Sequence, residues 1–220
     1  MRRLPWARRM AAVASLGDEK RRRLFELVVS AARAVGRDEA ALALGLPRST
    51  ASFHLDRLVQ DGLLAVEFHK PAGKSGPGSG RPAKMYRTAA REVGASVPDR
   101  NYDLAGELMA TAIEHSVAAG GPVREALLAT SYRKGQSLAS GSGSLEEFLA
   151  AEGYQPQADG EGGFVLVNCP FHRLADGHPK VVCAMNGAFL SGAAASCGES
   201  EDRVVENSAP GQCCARITPP

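Results

Sequence analysis

The stretch from Asp38 to Gly62 limits the possible folds more than any other part of the chain. Asp38 caps a short helix over residues 39–44, which Gly45 terminates. Leu46 follows as a core plug, and Pro47 stands where the first turn of a helix tolerates proline. A second helix then runs to Asp61 and stops at Gly62, with Ala51, Leu55, Leu58 and Val59 forming an inward stripe. Upstream, Asp18 caps a helix expected over residues 19–35, with Leu24, Leu27, Val28, Ala31, Ala32 and Val35 at helical spacing and Gly36 as its stop. Downstream come a strand over 63–68, a Gly/Pro/Lys stretch from Pro71 to Pro82, and a second strand over 84–88.

Three helices, a strand, a glycine-rich loop and a strand, in that order, make a winged helix-turn-helix. In such a module the second helix of the turn lays its N-terminal residues on base edges in the major groove. The outward face is expected to carry Arg48, Ser49, Ser52, His54 and Arg57, with Thr50 near the helix start. Arg48 is the foremost base reader, because its guanidinium fork matches guanine O6 and N7. Ser49, Thr50 and Ser52 suit phosphate contacts or helix capping, and His54 suits DNA or plain solvent. Lys70, Lys74, Arg81 and Lys84 sit where a wing would touch phosphates or a minor groove; a flexible basic linker is the alternative.

Charge divides the same way. Residues 1–100 hold 19 Lys and Arg against 10 Asp and Glu, a net of +9, whereas residues 101–220 carry a net of −7. A basic half suits a polyanion, and an acidic half suits something else. No segment approaches the ~20 apolar residues of a membrane helix, so no membrane partner is expected. Residues 1–17 read as a basic, disordered extension rather than a signal peptide, and Met10 is an alternative start; a cytoplasmic location follows as the expectation.

The remaining organisation is a winged helix-turn-helix over 18–90, a linker over 91–101 and a second domain over 102–220, for an α+β chain without internal repeats. In the second domain, helices are expected over 102–119, 123–138, 145–151 and 178–190. A hairpin is expected over 154–158 and 164–167, and a last strand near 214–217. All five cysteines fall within 46 residues of this domain: Cys169, Cys183, Cys197, Cys213 and Cys214. Their spacing is not the paired pattern of a zinc ribbon, yet cysteines on separate elements can converge on one iron–sulphur cluster. Neighbours on a strand face opposite ways, so only one of Cys213 and Cys214 is expected to join a site. A thiol–disulfide switch, or a zinc or heavy-metal sensor using His172 and His178, is the alternative; free cysteines that are simply buried need no ligand. An enzyme using Cys169 or Cys183 with a histidine base is a remote third reading, since no phosphate cradle, hydrolase elbow or paired-acid pattern accompanies it, and no enzymatic activity is expected.

The run Ser49 to Leu58, followed by Asp61-Gly62-Leu63-Leu64 and Gly80-Arg81-Pro82-Ala83-Lys84-Met85-Tyr86, resembles winged-helix regulators of the ArsR/DeoR-like group. That resemblance covers residues 24–88 and implies a homodimer on a palindromic double-stranded operator. Asn168-Cys169-Pro170-Phe171-His172, then His178 to Cys183, then Gly211 to Ile217 is similar to the C-terminal half of SufR-type iron–sulphur repressors. It implies a sensor and dimerisation domain holding a [4Fe–4S] cluster through Cys169, Cys183 and Cys213. Cys197, Cys214, His172 and His178 remain open as further ligands. The expected function is a transcriptional regulator, a repressor, whose operator binding follows the state of the cluster.

Overall fold

The first unit is organised around apolar stripes on three consecutive helices. A computed structural model describes residues 4–69, 82–89, 92–207, 209 and 211–220, and the chain divides into two units, Leu4–Ala95 and Ser96–Pro220. In the first unit, helix α2 (Glu19–Ser30) starts where Asp18 accepts the Arg21 N–H at 2.9 Å. Helices α3 (Arg37–Leu44) and α4 (Arg48–Gln60) follow, separated by Gly45 at φ 63°, a left-handed backbone that glycine adopts without strain. Leu24, Val28, Ala51, Leu55 and Leu58 are buried together; each of the larger side chains contributes ~1.5–3 kcal/mol by leaving water. Strands β1 (Val35–Gly36), β2 (Leu64–His69) and β3 (Ala83–Thr88) form an antiparallel sheet in the order β1-β3-β2. Tyr86, fully buried on β3, is opposite both Val35 and Val66.

Three expectations change here. Helix α3 begins at Arg37 with Gly36 at its N-cap, so Asp38 lies in the first turn rather than capping it. Helix α2 ends at Ser30 rather than near residue 35: Ala32 takes φ 51°, and Val35 leaves the helix to pair with Tyr86. Strand pairing thus overrides a stripe that continued at helical spacing. The N-terminal extension is also not disordered where described. Residues Trp6–Ser15 form helix α1, which buries Ala12. Its buried Arg9 donates to the carbonyls of Leu4 (3.0 Å) and Gly94 (3.1 Å).

The second unit packs helices against a four-stranded antiparallel sheet. Helix α5 (Tyr102–Ala119) begins where Asn101 accepts the Leu104 N–H, and helix α6 (Val123–Ala139) returns beside it. Helix α7 (Leu145–Ala151), the short α8 (His172–Gly177) and the long α9 (Pro179–Ser196) complete the helical layer. Strands β4 (Pro156–Ala158), β5 (Phe164–Leu166), β6 (Val204–Glu206) and β7 (Ala215–Ile217) run in the order β4-β5-β7-β6. Helices α6 and α9 touch backbone to backbone. A Cβ on Gly135 would lie 2.0 Å from the Phe189 carbonyl oxygen, and one on Gly192 would lie 2.0 Å from that of Tyr132. Buried residues Val182, Met185, Phe189, Leu190 and Ala193 give α9 its core stripe. The chain is therefore α+β. Among the described residues no helix is long and apolar enough to cross a membrane.

Candidate functional site

Helix α4 buries one side against α2 and leaves the other open. Arg48, Ser49, Phe53 and Arg57 are exposed on it, and Thr50 and Ser52 are half-buried. Each cation already has a carboxylate partner. Arg48 Nε lies 2.5 Å from Asp38 Oδ1, and Arg57 Nε donates to Asp61 at 3.1 Å. Lys84 Nζ donates to Asp56 at 2.5 Å and sits 5.3 Å from the centre of the Tyr86 ring. Asp56 also accepts from the Tyr86 hydroxyl at 2.8 Å. Its hydrogen bond is the main reason Lys84 titrates above the usual lysine value. The Tyr86 hydroxyl thereby ties β3 to α4 through Asp56. Between the start of α4 and the β2–β3 pair lies a concavity of about 750 Å³ bordered by Arg37, Arg48, Phe68 and Lys84.

His54 departs from the expected face. It is 9% exposed, its ring meets Phe53 edge-on, and its Nδ1 lies 3.9 Å from the Asp18 carboxylate. One helical step turns position 54 toward α2 and leaves Phe53, 65% exposed, on the outward side instead. Lys70, Lys74 and Arg81 lie outside the described residues.

The cysteines come from three separate stretches. Cys169 is in the turn before α8, Cys183 is on the first turns of α9, and Cys213 and Cys214 precede β7. Cys169, Cys213 and Cys214 shift one another's titration, Cys183 joins them through Cys214, and Cys183 and Cys214 border one concavity. Cys213 and Cys214 both take part, against the expectation that only one would. They lie in a bend rather than a pleated strand, so the rule of alternating faces does not apply. Their backbone is pinned on two sides: Cys213 N–H donates to Leu166 at 2.8 Å, and Asn207 N–H donates to Cys214 at 2.8 Å. Cys169 is held equally firmly. Arg100 donates to its carbonyl at 3.1 Å and to the Asn168 side chain, while Asn168 Nδ2 donates to Asp99 (2.9 Å) and Gly153 (2.6 Å).

The group behaves electrostatically as one. Cys214 accepts from the Cys169 and Cys213 thiols, and next from Cys183 and Asn186, which hold its sulfur well below the usual thiol value against the effect of burial. The donors move the other way. For Cys169, Cys213 pulls down while Cys214 and burial together push harder, up to about 12. Cys183 is raised to about 12 by burial and then by Cys214. Cys213 is raised by its bonds to Cys169 and Cys214 and by burial. Cys197 stays apart. It is the C-cap of α9, 14 residues from Cys183, or about 21 Å along a helix, and only burial and Glu199 act on it. His172 and His178 are exposed, with His172 Nε2 3.7 Å from Asp176.

Asn186 is the residue the sequence reading missed. It is fully buried, accepts from the Tyr154 hydroxyl at 2.6 Å, and turns its amide N–H groups to Cys213 Sγ (3.3 Å) and Cys214 Sγ (3.8 Å). A polar residue on the apolar stripe of α9, one turn after Cys183, was its signal. Burial and then the neighbouring Cys213 keep the Tyr154 phenol well above its usual pKa, so it remains a donor. Four thiols with an amide donor beside them are the donor chemistry of a thiophilic metal or cluster. Among the described residues no three His, Cys, Asp or Glu side chains are arranged to hold a metal ion.

Comparison with protein-family models, with curated proteins and with solved structures returned no match.

Proposed function

We propose that this chain is a DNA-binding transcriptional regulator, a repressor, whose first unit is a winged helix-turn-helix and whose four-cysteine centre governs operator binding. The observation that carries this reading is helix α4: held at a glycine corner behind α3, backed by the β1-β3-β2 sheet, and offering Arg48, Ser49, Phe53 and Arg57 outward. A helix so presented fits the major groove. Arg48 would reach a guanine edge, Phe53 a thymine methyl, and Ser49 and Thr50 the phosphates. The wing, between β2 and β3, would supply backbone contacts. Exposed Ile113 and Val117 on α5 and Val123 on α6 offer apolar surface to a second copy, as a homodimer on a palindromic operator requires.

Cys169, Cys183, Cys213 and Cys214 would hold an iron–sulphur cluster, with Cys214 in the open fourth position. When bound, the group supplies a one-electron centre that oxidants and iron shortage dismantle. The chain's own part is to present four sulfurs from three fixed stretches and to shield Cys169 and Cys213 from water. A zinc-bound or disulfide form is the second reading, favoured by thiols that shift one another's titration. The location would be cytoplasmic, where thiols stay reduced.

The test begins with anaerobic reconstitution using iron and sulfide, then selection of duplexes from a random pool by loaded and metal-free protein. The regulator reading expects one palindromic sequence and a five- to 150-fold difference in affinity between the two forms, a coupling of ~1–3 kcal/mol. Equal affinities would remove the sensing role, and no duplex binding at modest salt would remove the regulator. Zinc in place of iron and sulfide in protein purified without oxygen would select the second reading.

A further inference from the structure

We infer that Asn186 and Tyr154 form a positioning pair that sets the electronic environment of the cysteine centre, with Asn186 donating to the sulfurs and Tyr154 holding its amide oxygen. The inference rests on the proposed cluster-binding role of the four cysteines.

The argument starts from the cost of burial. An amide placed on the apolar stripe of α9 loses its water, which is tolerable only when its polar atoms find partners. Asn186 has them on both ends: its oxygen takes the Tyr154 hydroxyl at 2.6 Å, and its nitrogen faces Cys213 Sγ at 3.3 Å and Cys214 Sγ at 3.8 Å. The orientation follows from the sulfurs: as deprotonated ligands they only accept, so they take the amide N–H, and the Tyr154 hydroxyl, able to donate or accept, donates to the oxygen. Flipping Asn186 would leave those sulfurs facing an oxygen. Tyr154 is itself fixed, 1% exposed within the core that includes Phe171, Met185 and Cys213.

Hydrogen bonds to ligand sulfurs are among the factors that set cluster potentials. A donor stabilises the more negative, reduced state more than the oxidised one. Asn186 therefore raises the reduction potential of whatever one-electron centre these sulfurs hold. A purely structural amide would affect folding and leave the potential alone.

The experiment uses the full chain, reconstituted with iron and sulfide and titrated spectroelectrochemically, as wild type, Asn186→Leu and Tyr154→Phe. Asn186→Leu keeps the side-chain size and removes the donor. Tyr154→Phe removes one oxygen, a milder change that guards against failure of the first variant to fold. The expected result is a lower potential in both, by an amount equivalent to a tenfold change (about 59 mV for one electron) in Asn186→Leu and less in Tyr154→Phe. Loaded variants with wild-type potentials would overturn the assignment and leave the cluster reading standing. Should the wild type take up no iron, the cluster reading falls instead. Cobalt(II) then serves as the probe: a sulfur-to-cobalt charge-transfer band that moves in Asn186→Leu supports the pair, and an unmoved band, or no cobalt uptake, overturns it.

Discussion

Two glycines on helix α9, five residues apart, should respond oppositely to the same substitution. At Gly192 an added Cβ would stand 2.0 Å from the Tyr132 carbonyl oxygen and 2.8 Å from its carbon. Real Cβ contacts essentially never fall under 3.0 Å, so α6 and α9 must separate locally by about 1 Å. The obstacle is backbone and cannot rotate away. Overpacking of this kind costs ~1–3 kcal/mol, and alanine's better helix propensity returns at most ~1, so Gly192→Ala should lose about 1–2 kcal/mol. At Gly187 a Cβ would meet nothing within 4 Å, and Gly187→Ala should gain ~0.5–1 kcal/mol from propensity alone. Equilibrium urea unfolding reads both. The chain's single tryptophan, Trp6, belongs to the first unit, and three of its four tyrosines, Tyr102, Tyr132 and Tyr154, belong to the second. Tyrosine near-ultraviolet dichroism should therefore show the second unit's midpoint falling by about 1 M urea in Gly192→Ala and rising slightly in Gly187→Ala. The Trp6 transition should hold still. A Gly192→Ala midpoint at or above wild type would refute the close helix approach.

Four further outcomes are expected. Phe53→Ala should abolish any preference for thymine over deoxyuridine in the selected operator, a preference worth ~0.8 kcal/mol or about fourfold for one methyl group; wild type binding both duplexes equally would remove Phe53 from the reading face. Asp38→Asn frees Arg48 and should tighten operator binding by up to about fivefold at low salt, with the gain shrinking as salt rises; unchanged affinity in a salt series would show that the pair does not compete. Cys214→Ser should lose iron on reconstitution whereas Cys197→Ser should retain the wild-type content, and the reverse pattern would exchange their roles. Asp18→Ala should destabilise the first unit by ~1 kcal/mol through loss of the α2 cap. The Asp18 carboxyl is held below its usual value of 3.8 mainly by the Arg21 backbone N–H. Its stabilisation is therefore complete above about pH 5 and lost as pH falls through the lowered value, so the two proteins' stabilities should converge in acid.

Where local chemistry decided the structure, the sequence was readable. Gly45 takes its left-handed turn and Asp18 caps α2. It failed where distant pairing decided. Val35 fits the stripe of α2 as well as Leu24 does, and only the partner Tyr86 draws it into a strand. Strand β6 was missed because three residues, Val204–Glu206, carry no period of their own and are defined by pairing with β7. Helix α1 was hidden by its charge: Arg9 looks like a solvated cation until the carbonyls of Leu4 and Gly94 accept its guanidinium. At the candidate site, the cysteines were conspicuous as residue types. Whether Cys213 and Cys214 share a face depended on strand or bend, which two letters cannot specify.

The cations of the outward helix face offer a last constraint on how the first unit could read DNA. The net charge of +9 over residues 1–100 suggests indiscriminate attraction to phosphate, yet Arg48, Arg57 and Lys84 each hold a carboxylate, Asp38, Asp61 and Asp56 respectively. A phosphate approaching any of them must displace that partner, which offsets much of a non-specific contact worth little in water. A guanine edge meeting Arg48 with two parallel hydrogen bonds gains more than an exposed pair loses. Local neutralisation therefore costs every sequence that engages these cations a similar amount, and an operator stays bound because its base contacts exceed that cost. On the proposed reading, these acidic neighbours lower affinity in general and leave the ratio between operator and other sequences to the base contacts themselves.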